Sequence, residues 1–225
     1  MIGVMPPAAT QSSYVPALGL DWLTRFYDPL LRATLREDAF KRHLIAQAHI
    51  EPGHAVLDLG CGTGTLAILV KQACPQAIVV GLDGDPQVLA IARTKVATAG
   101  VDVVICEGMA FAPPFPAASF DRVLSTLVLH HLTTAEKRTA LRAVRTLLRP
   151  GGELHVADWG PPQNALMWLA SRGVQLLDGA DRTEANLAGR LPTLLADAGF
   201  ADVAETERWM TVFGTLAFYR GAVPA

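Results

Sequence analysis

Several classes of protein are excluded by what this sequence lacks. The formal net charge is −2, so there is no overall positive field to hold nucleic acid. The three cysteines are an odd number without CxxC spacing, which suits a reduced compartment and argues against a structural zinc site. No apolar run approaches the roughly 18 residues of a membrane span, and the start lacks the basic and apolar regions of a signal peptide. We therefore expect a cytoplasmic protein with no membrane span, no nucleic-acid partner and no metal.

The chain does contain enough apolar sequence for one sizeable domain. It has 225 residues, 51% of them hydrophobic, and its mean hydropathy is +0.29. Residues 1–13, rich in Pro, Ala, Thr and Ser, are expected to form a flexible tail. Residues 14–50 carry apolar side chains at helical spacing and indicate a helical cap, and residues 51–225 form the core. We predict a single domain over residues 14–225, with a substrate-side insertion at 160–190.

Strand-like and helix-like segments alternate after residue 50. Two strand-like runs end the chain, 202–209 and 211–220, and too few residues separate them for a helical crossover, so they must pair as an antiparallel hairpin. The alternation before them predicts a parallel sheet covered by helices on both faces. The predicted strands are 56–59, 78–83, 101–106, 120–125 and 153–157, and the predicted helices include 66–70, 86–99, 133–149, 163–180 and 192–198.

The most informative run is VLDLGCGTG at residues 56–64, which joins an apolar strand to a helix through three alternating glycines. Glycine permits positive φ and lets a ligand approach the bare backbone. A dinucleotide-binding turn would carry its third glycine at Thr65 rather than at Gly64, and no Gly-Lys pair of the Walker type occurs in the chain. An isolated match of this kind is also compatible with a purely structural strand–helix turn.

This turn resembles motif I of the class I S-adenosylmethionine (SAM) dependent methyltransferases, and the run FDRVLS at 120–125 resembles their fourth strand. The resemblance implies SAM as the cofactor and an α/β fold: a Rossmann-like doubly wound seven-stranded sheet, mostly parallel, with a C-terminal antiparallel hairpin and an N-terminal helical cap. It also implies that Asp83, at the end of the second strand, binds the ribose hydroxyls. Asp58 is then expected to bind the amino group of the methionine half. For both carboxylates, capping of a helix is the alternative.

The other expected cofactor contacts follow from the same resemblance. Where the family often carries an Asp that reads the adenine amino group, this chain has Met109, so backbone groups of Met109 and Ala110 are expected to read the adenine edge. Tyr27 is expected beside the sulfonium, with packing inside the cap as an equal alternative. The full expected set is Tyr27, Asp58, Gly60, Cys61, Gly62, Gly64, Asp83, Gly84, Met109, Ala110, Ser125 and Thr126.

Methyl transfer depends mainly on alignment, and a base is needed only where the acceptor must lose a proton. His130 and His131, just past the fourth strand, are the best candidate bases because histidine titrates near neutrality. Asp158, past the fifth strand, is a further candidate. Helix capping, core packing and loop capping are the respective alternatives.

The acceptor site is expected in the variable, strongly apolar parts of the chain, 14–50 and 160–190. Apolar surface there suits a small lipophilic acceptor, although core packing is the default explanation. Four motifs resemble those of the ubiquinone/menaquinone-biosynthesis methyltransferases: the Tyr-Asp pair at 27–28, the DLGCGTG turn at 58–64, the Pro-Phe-Pro loop at 114–116 and the Arg-Pro-Gly-Gly turn at 149–152. This resemblance implies a quinone-like or lipid acceptor. Alternatives are a methyltransferase of polar secondary metabolites, a non-catalytic SAM-fold interaction protein and, least favoured, an NAD(P) oxidoreductase. Peripheral membrane contact through the arginines of helix 133–149 and the oligomeric state stay open.

Overall fold

The computed structural model describes residues 37–225, which form a seven-stranded sheet with the order β3-β2-β1-β4-β5-β7-β6. Strands β1 to β5 pair in parallel, whereas β7 runs antiparallel to both β5 and β6. The predicted fold class, including the C-terminal hairpin, is therefore confirmed. The strands are β1 (Ala55–Leu59), β2 (Ile78–Asp83), β3 (Val103–Glu107), β4 (Phe120–Thr126), β5 (Leu148–Gly160), β6 (Ala201–Thr211) and β7 (Gly214–Ala222).

Helices cover both faces of this sheet. The helices are α1 (Glu37–Gln47), α2 (Thr65–Ala73), α3 (Pro86–Ala99), α4 (Thr134–Leu147), α5 (Ala165–Asp178), α6 (Ala180–Leu187) and α7 (Leu191–Asp197). One buried cluster joins Leu57 of β1 to residues of α4, α6 and α7. A second cluster joins Val56, on the opposite face, to residues of α1 and α2. Because successive strand residues point to opposite faces, the near-continuous apolar runs of the inner strands supply both cores.

Local signals in the sequence set several helix ends. Asp85 caps α3, where its side chain accepts hydrogen bonds from the amides of Gln87 and Val88, and Gly100 closes the helix at φ 64°. Thr133 and Glu136 form the predicted capping box at the start of α4. These ends lie where the sequence predicts them, although α4 stops at Leu147 rather than at residue 149.

Two segments differ from the prediction. The Pro-Gly-Gly turn at 150–152 lies inside β5, where the register with β4 moves from Phe120↔Leu148 to Arg122↔Glu153. The register therefore shifts by three residues, and the predicted turn is an irregularity inside the strand rather than a turn before it. The predicted helix 163–180 is present as α5 (Ala165–Asp178), which ends at Gly179 with φ 90°, but it is followed by α6 (Ala180–Leu187), a helix that the sequence does not predict.

The predicted tail, the first part of the cap and Tyr27 lie outside the described residues, and only α1 represents the cap. Within residues 37–225, no helix is both long and apolar enough to cross a membrane.

Candidate functional site

The glycine turn after β1 forms the floor of the site. The amides of Gly60 and Cys61 both donate to the Leu82 carbonyl, at 2.8 and 2.9 Å, so the turn is fastened to β2. Gly60 has φ +71°, and a Cβ there would lie 2.3 Å from a methyl of Val128. At Gly62, φ is +53° and nothing lies within 4 Å of the position of a Cβ. The first glycine therefore admits a neighbouring side chain, whereas the second leaves backbone open to a ligand.

Asp83 is the last residue of β2 and lies beside this turn. Its Oδ2 accepts from the Gly62 amide at 2.9 Å, and its Oδ1 accepts from the Asp85 amide at 3.0 Å. Burial raises the pKa of Asp83 above its ordinary value, while these backbone hydrogen bonds oppose the rise. The structure thus places a fixed carboxylate next to the open backbone at Gly62. Gly84 follows directly and joins β2 to the cap of α3.

Asp58 is the buried acid of the turn. It is 1% exposed, and its Oδ2 accepts from the Ala67 amide of α2 at 3.0 Å. Among the described residues, no hydrogen-bond partner reaches its Oδ1. Burial raises the pKa of Asp58 to about 7, against the opposing charge of Lys41. A buried carboxylate oxygen without a donor fits an added cation, such as the amino group of an amino-acid ligand.

Other residues expected at the cofactor have different surroundings. Cys61 is buried, and burial raises the pKa of its thiol, so it is a packing residue rather than a nucleophile. The Ser125 hydroxyl donates to the Leu59 carbonyl at 3.1 Å and ties β4 to β1. Thr126, the last residue of β4, is half-buried at the carboxyl end of the sheet. Met109 and Ala110, after β3, are also half-buried.

Gly64 ends the turn with a third positive φ, +77°, and precedes α2. Its Cβ position lies 3.3 Å from the Ala92 side chain of α3, so this glycine allows α2 and α3 to approach closely. The three glycines therefore have three different physical roles.

A hydrogen bond joins two of the three candidate bases. His130 lies in the short 3-10 helix Leu129–His131 after β4, and its Nδ1 is 2.7 Å from Oδ1 of Asp158 on β5. Both side chains are buried, at 4% and 0% exposure. The pair forms because β4 and β5 are parallel neighbours whose carboxyl ends reach the same edge. In the neutral ring, this contact places the proton on Nδ1 and the lone pair on Nε2.

Asp158 accepts further hydrogen bonds, all from the protein. The Val128 and Leu129 amides donate to Oδ2, at 3.1 and 2.7 Å, and the Trp159 amide donates to Oδ1 at 2.7 Å. Burial raises the pKa of Asp158, but the charge of His130 and these donors outweigh burial and hold it below its ordinary value. A carboxylate held in this way is a poor proton acceptor. The geometry therefore favours Asp158 as the anchor of His130 rather than as a base.

His131 packs against His130, with ring centroids 3.9 Å apart. Burial, reinforced by the charge of His130, lowers the pKa of His131 to about 3. His131 therefore stays neutral at physiological pH, and its ring is a much weaker base than an ordinary histidine.

Sequence reasoning missed Asn186 and Lys137. Asn186, on α6, is fully buried and its Nδ2 donates to Oδ1 of Asp158 at 3.2 Å. Lys137, on α4, is also fully buried and its Nζ donates to the carbonyls of Leu132 and Arg182. Helix α6 is thus fixed by Asn186 to Asp158, the partner of His130, and through Lys137 to Leu132, which follows the helix that carries His130. The sequence contains no signal for the contacts to Asp158 and Arg182, because they join residues 28 and 45 positions apart in the chain.

Comparisons with known proteins agree with this geometry. Residues 56–152 match the family model described as a methyltransferase domain. The chain is 32% identical over 203 residues to the ubiquinone/menaquinone biosynthesis C-methyltransferase of Shewanella frigidimarina, covering 81% of this chain and 79% of that protein. It is 40% identical over 117 residues to the demethylmenaquinone methyltransferase of Thermus thermophilus, covering 52% of each. The chain spans only about half the length of several such curated relatives.

Solved structures show the same fold. The magnesium protoporphyrin IX methyltransferase of Synechocystis, with bound S-adenosylhomocysteine, superimposes with a TM-score of 0.63 at 23% identity, covering 83% of this chain and 81% of that one. The SAM-dependent methyltransferase SibL superimposes with a TM-score of 0.71 at 24% identity, covering 97% of this chain and 64% of that one. The turn, the two carboxylates, the sheet order and the Shewanella relative together show that this chain belongs to the class I SAM-dependent methyltransferases, whose cofactor is S-adenosylmethionine, and that it resembles their ubiquinone/menaquinone-biosynthesis group.

Proposed function

We propose that this chain transfers a methyl group from SAM to a ring carbon of a small, apolar, quinone-like acceptor in its reduced, hydroxyl-bearing form. The observation that carries the proposal is the buried His130–Asp158 pair at 2.7 Å, next to the glycine turn. Val128, which packs against Gly60, directly precedes the helix that carries His130. A base is thereby held beside the cofactor turn. The names of the quinone-methylating relatives support the acceptor class.

The cofactor supplies an electrophilic methyl group on a sulfonium. In the proposal, Asp83 holds the ribose hydroxyls, Asp58 holds the amino group, and the backbone of Met109 and Ala110 reads the adenine edge. Gly62 gives the ligand access to the backbone, because the space beside it is open and a side chain there would occupy the space that the ligand needs. These contacts fix the donor so that the acceptor carbon can approach in line.

His130 performs the proton transfer. An acceptor hydroxyl gives its proton to Nε2 of His130, and the resulting phenolate raises electron density at the adjacent ring carbon that takes the methyl group. After the methyl group has moved to this carbon, the carbon would lose its own proton to water and so restore the aromatic ring, and the imidazolium of His130 would return its proton to the phenolate oxygen. Asp158 orients the imidazole and stabilises the imidazolium that forms, as the acid does in a catalytic triad.

Paired histidine substitutions test this role. The assay measures methylation of a short-chain demethylmenaquinol, kept reduced with dithionite, together with S-adenosylhomocysteine affinity by calorimetry. His130→Asn is expected to lower kcat by roughly 10²–10⁴-fold with little change in that affinity. His131→Asn is the matched control and is expected to keep kcat within a few fold. Unchanged turnover in His130→Asn would show that His130 is not the base.

A labelling experiment tests the acceptor class separately. The protein is incubated with methyl-labelled SAM and an extract of its source cells, and label is measured in the organic, aqueous and protein fractions. We expect label in the organic fraction. Label confined to the aqueous fraction would exclude a quinone-like acceptor and indicate a polar metabolite.

A further inference from the structure

Helix α1 carries a lysine in an unusual environment. Lys41 is only 8% exposed, although lysine is rarely buried without charged partners. Its Nζ lies 2.5 Å from Oε1 of Glu37, one turn earlier on the same helix. Phe40 and Leu44, on either side of it in the sequence, are buried and hold α1 against the sheet. Lys41 also lies outside the matched residues 56–152, so the family model assigns it no role.

Lys41 and Asp58 belong to the same side of the sheet. The cluster that contains Phe40 and Leu44 also contains Val56 and Ala67, and the Ala67 amide donates to Asp58. The positive charge of Lys41 acts on the Asp58 carboxyl, so the two groups are electrostatically coupled. Yet Asp58 Oδ1 has no hydrogen-bond partner among the described residues. A cation on α1 and a carboxylate on β1 therefore lie on the same side of the sheet, and this carboxylate oxygen has no donor among the described residues.

A zwitterion completes this arrangement. The methionine half of SAM carries an ammonium and a carboxylate on one carbon. With the ammonium at Asp58 and the carboxylate at Lys41, the charges alternate in sign from Glu37 through Lys41 and the ligand to Asp58. Each buried charge then has an oppositely charged neighbour, which is the condition under which buried ions are tolerated.

We propose that Nζ of Lys41 binds the carboxylate of the methionine half of SAM, so that α1 supplies part of the cofactor site. This role depends on the cofactor of the family and is independent of the acceptor class and of His130. A lysine ammonium has three donors, so it can hold Glu37 and a ligand carboxylate together.

Two ligands that differ only in the carboxylate test the proposal. S-adenosylhomocysteine carries it, and S-adenosyl-3-thiopropylamine lacks it but keeps the amino group. Calorimetry on the full chain gives the ratio of the affinities for the two ligands. General damage to the fold lowers both affinities alike and therefore does not change this ratio. The wild type is expected to prefer S-adenosylhomocysteine by roughly tenfold to a hundredfold, the value of one hydrogen bond between charged groups.

Variants at Lys41 then test whether this lysine causes the preference for S-adenosylhomocysteine. Lys41→Met and the milder Lys41→Gln are expected to reduce the ratio to within about threefold of one, and Lys41→Arg is expected to retain most of it. Lys71→Met is the matched control, because Lys71 Nζ donates to the Ala77 carbonyl at 2.6 Å, and it should leave the ratio unchanged.

Three results would overturn the proposal: no preference in the wild type, a full preference in both Lys41→Met and Lys41→Gln, or a preference lost equally in Lys71→Met. If the wild type binds S-adenosylhomocysteine with the expected ratio but methylates no quinol, the acceptor proposal fails while the role of Lys41 stands.

Discussion

Replacing Asp58 with asparagine is expected to stabilise the ligand-free protein at pH 8. The pKa of Asp58 rises from 3.8 to about 7 in the fold because the carboxyl is buried. A rise of about three units at 1.36 kcal/mol each makes the ionised form unfavourable by roughly 4 kcal/mol. Because the folded pKa lies above the unfolded one, the protonated form contributes stability at low pH, and that contribution is lost as pH rises through about 7. The asparagine amide carries no charge and avoids this loss.

The expected gain is smaller than the full electrostatic term. In the Asp58→Asn variant, the new side chain would keep one oxygen to accept from the Ala67 amide, but its NH2 group would replace an oxygen that has no partner among the described residues. An unsatisfied buried donor costs about 1–3 kcal/mol. The net gain at pH 8 is therefore about 1–3 kcal/mol. It should shrink as pH falls towards 5, where the wild-type carboxyl is protonated.

Urea denaturation of wild type and Asp58→Asn at pH 5.5 and pH 8, without ligand, measures this difference. Calorimetry with S-adenosylhomocysteine supplies the functional half: wild-type affinity should fall as pH drops below about 7, by up to about tenfold per unit, because the ligand ammonium pairs with the ionised carboxylate. In Asp58→Asn the affinity should be weaker at pH 8 and nearly independent of pH. A stability difference that does not change with pH, or a destabilised Asp58→Asn at pH 8, would refute the reasoning.

Three further predictions concern packing and the base. Gly60→Ala should destabilise the protein by about 2–4 kcal/mol in thermal or urea unfolding, because the new methyl would lie 2.3 Å from a valine methyl at a positive φ. Asn186→Ala should lower kcat by roughly tenfold with KM for SAM nearly unchanged, because the Asp158 carboxylate that orients the base loses a donor. Tyr219→Phe should change stability by less than about 1 kcal/mol, because the buried hydroxyl has no partner among the described residues.

Matched variants control these predictions. Gly53→Ala has a positive φ but nothing within 4 Å, so a loss equal to that of Gly60→Ala would remove the steric argument. Thr183→Ser keeps the hydroxyl that donates to the Gly179 carbonyl on α6, and it should leave kcat unchanged. A kcat equal to wild type in Asn186→Ala would show that Asn186 does not act on catalysis through Asp158 and the base. A loss above about 2 kcal/mol in Tyr219→Phe would mean that the hydroxyl does have a partner.

Much of the sheet is predictable because its determinants are local. Apolar runs bounded by glycine or an acid identify β1, β2 and β4, and the capping side chain of Asp85 fixes the start of α3. The final hairpin follows from the short connection between two strand-like runs. The turn with Asp58 and Asp83 is likewise a local pattern, and its neighbours in space are adjacent strands.

The rest depends on contacts between distant residues. Helix α6 has the sequence ADRTEANL, which lacks an apolar stripe, and its buried Thr183 and Asn186 are held by hydrogen bonds rather than by hydrophobic packing. Hydrophobic periodicity cannot reveal such a helix. His130 and Asp158 both stand out in the sequence as rival bases, but they are 28 residues apart, and only the pairing of β4 with β5 makes them partners. The burial of Lys41 cannot be predicted from the sequence, because a lysine in a helix is ordinarily exposed to solvent.

The attachment of α6 limits how freely this part of the chain can be exchanged in redesign. Exchanging residues 165–187 for the corresponding segment of another methyltransferase would remove the Asn186 amide, and a different backbone path would displace the Arg182 carbonyl contacted by Lys137. Such a chimera would leave Asp158 with one hydrogen-bond donor fewer and, where that carbonyl moves, Lys137 with one acceptor fewer. Designs that vary α5 and keep α6 intact would leave the His130–Asp158 pair and its Asn186 contact unchanged, so Gly179, which separates the two helices, is the natural junction for recombination.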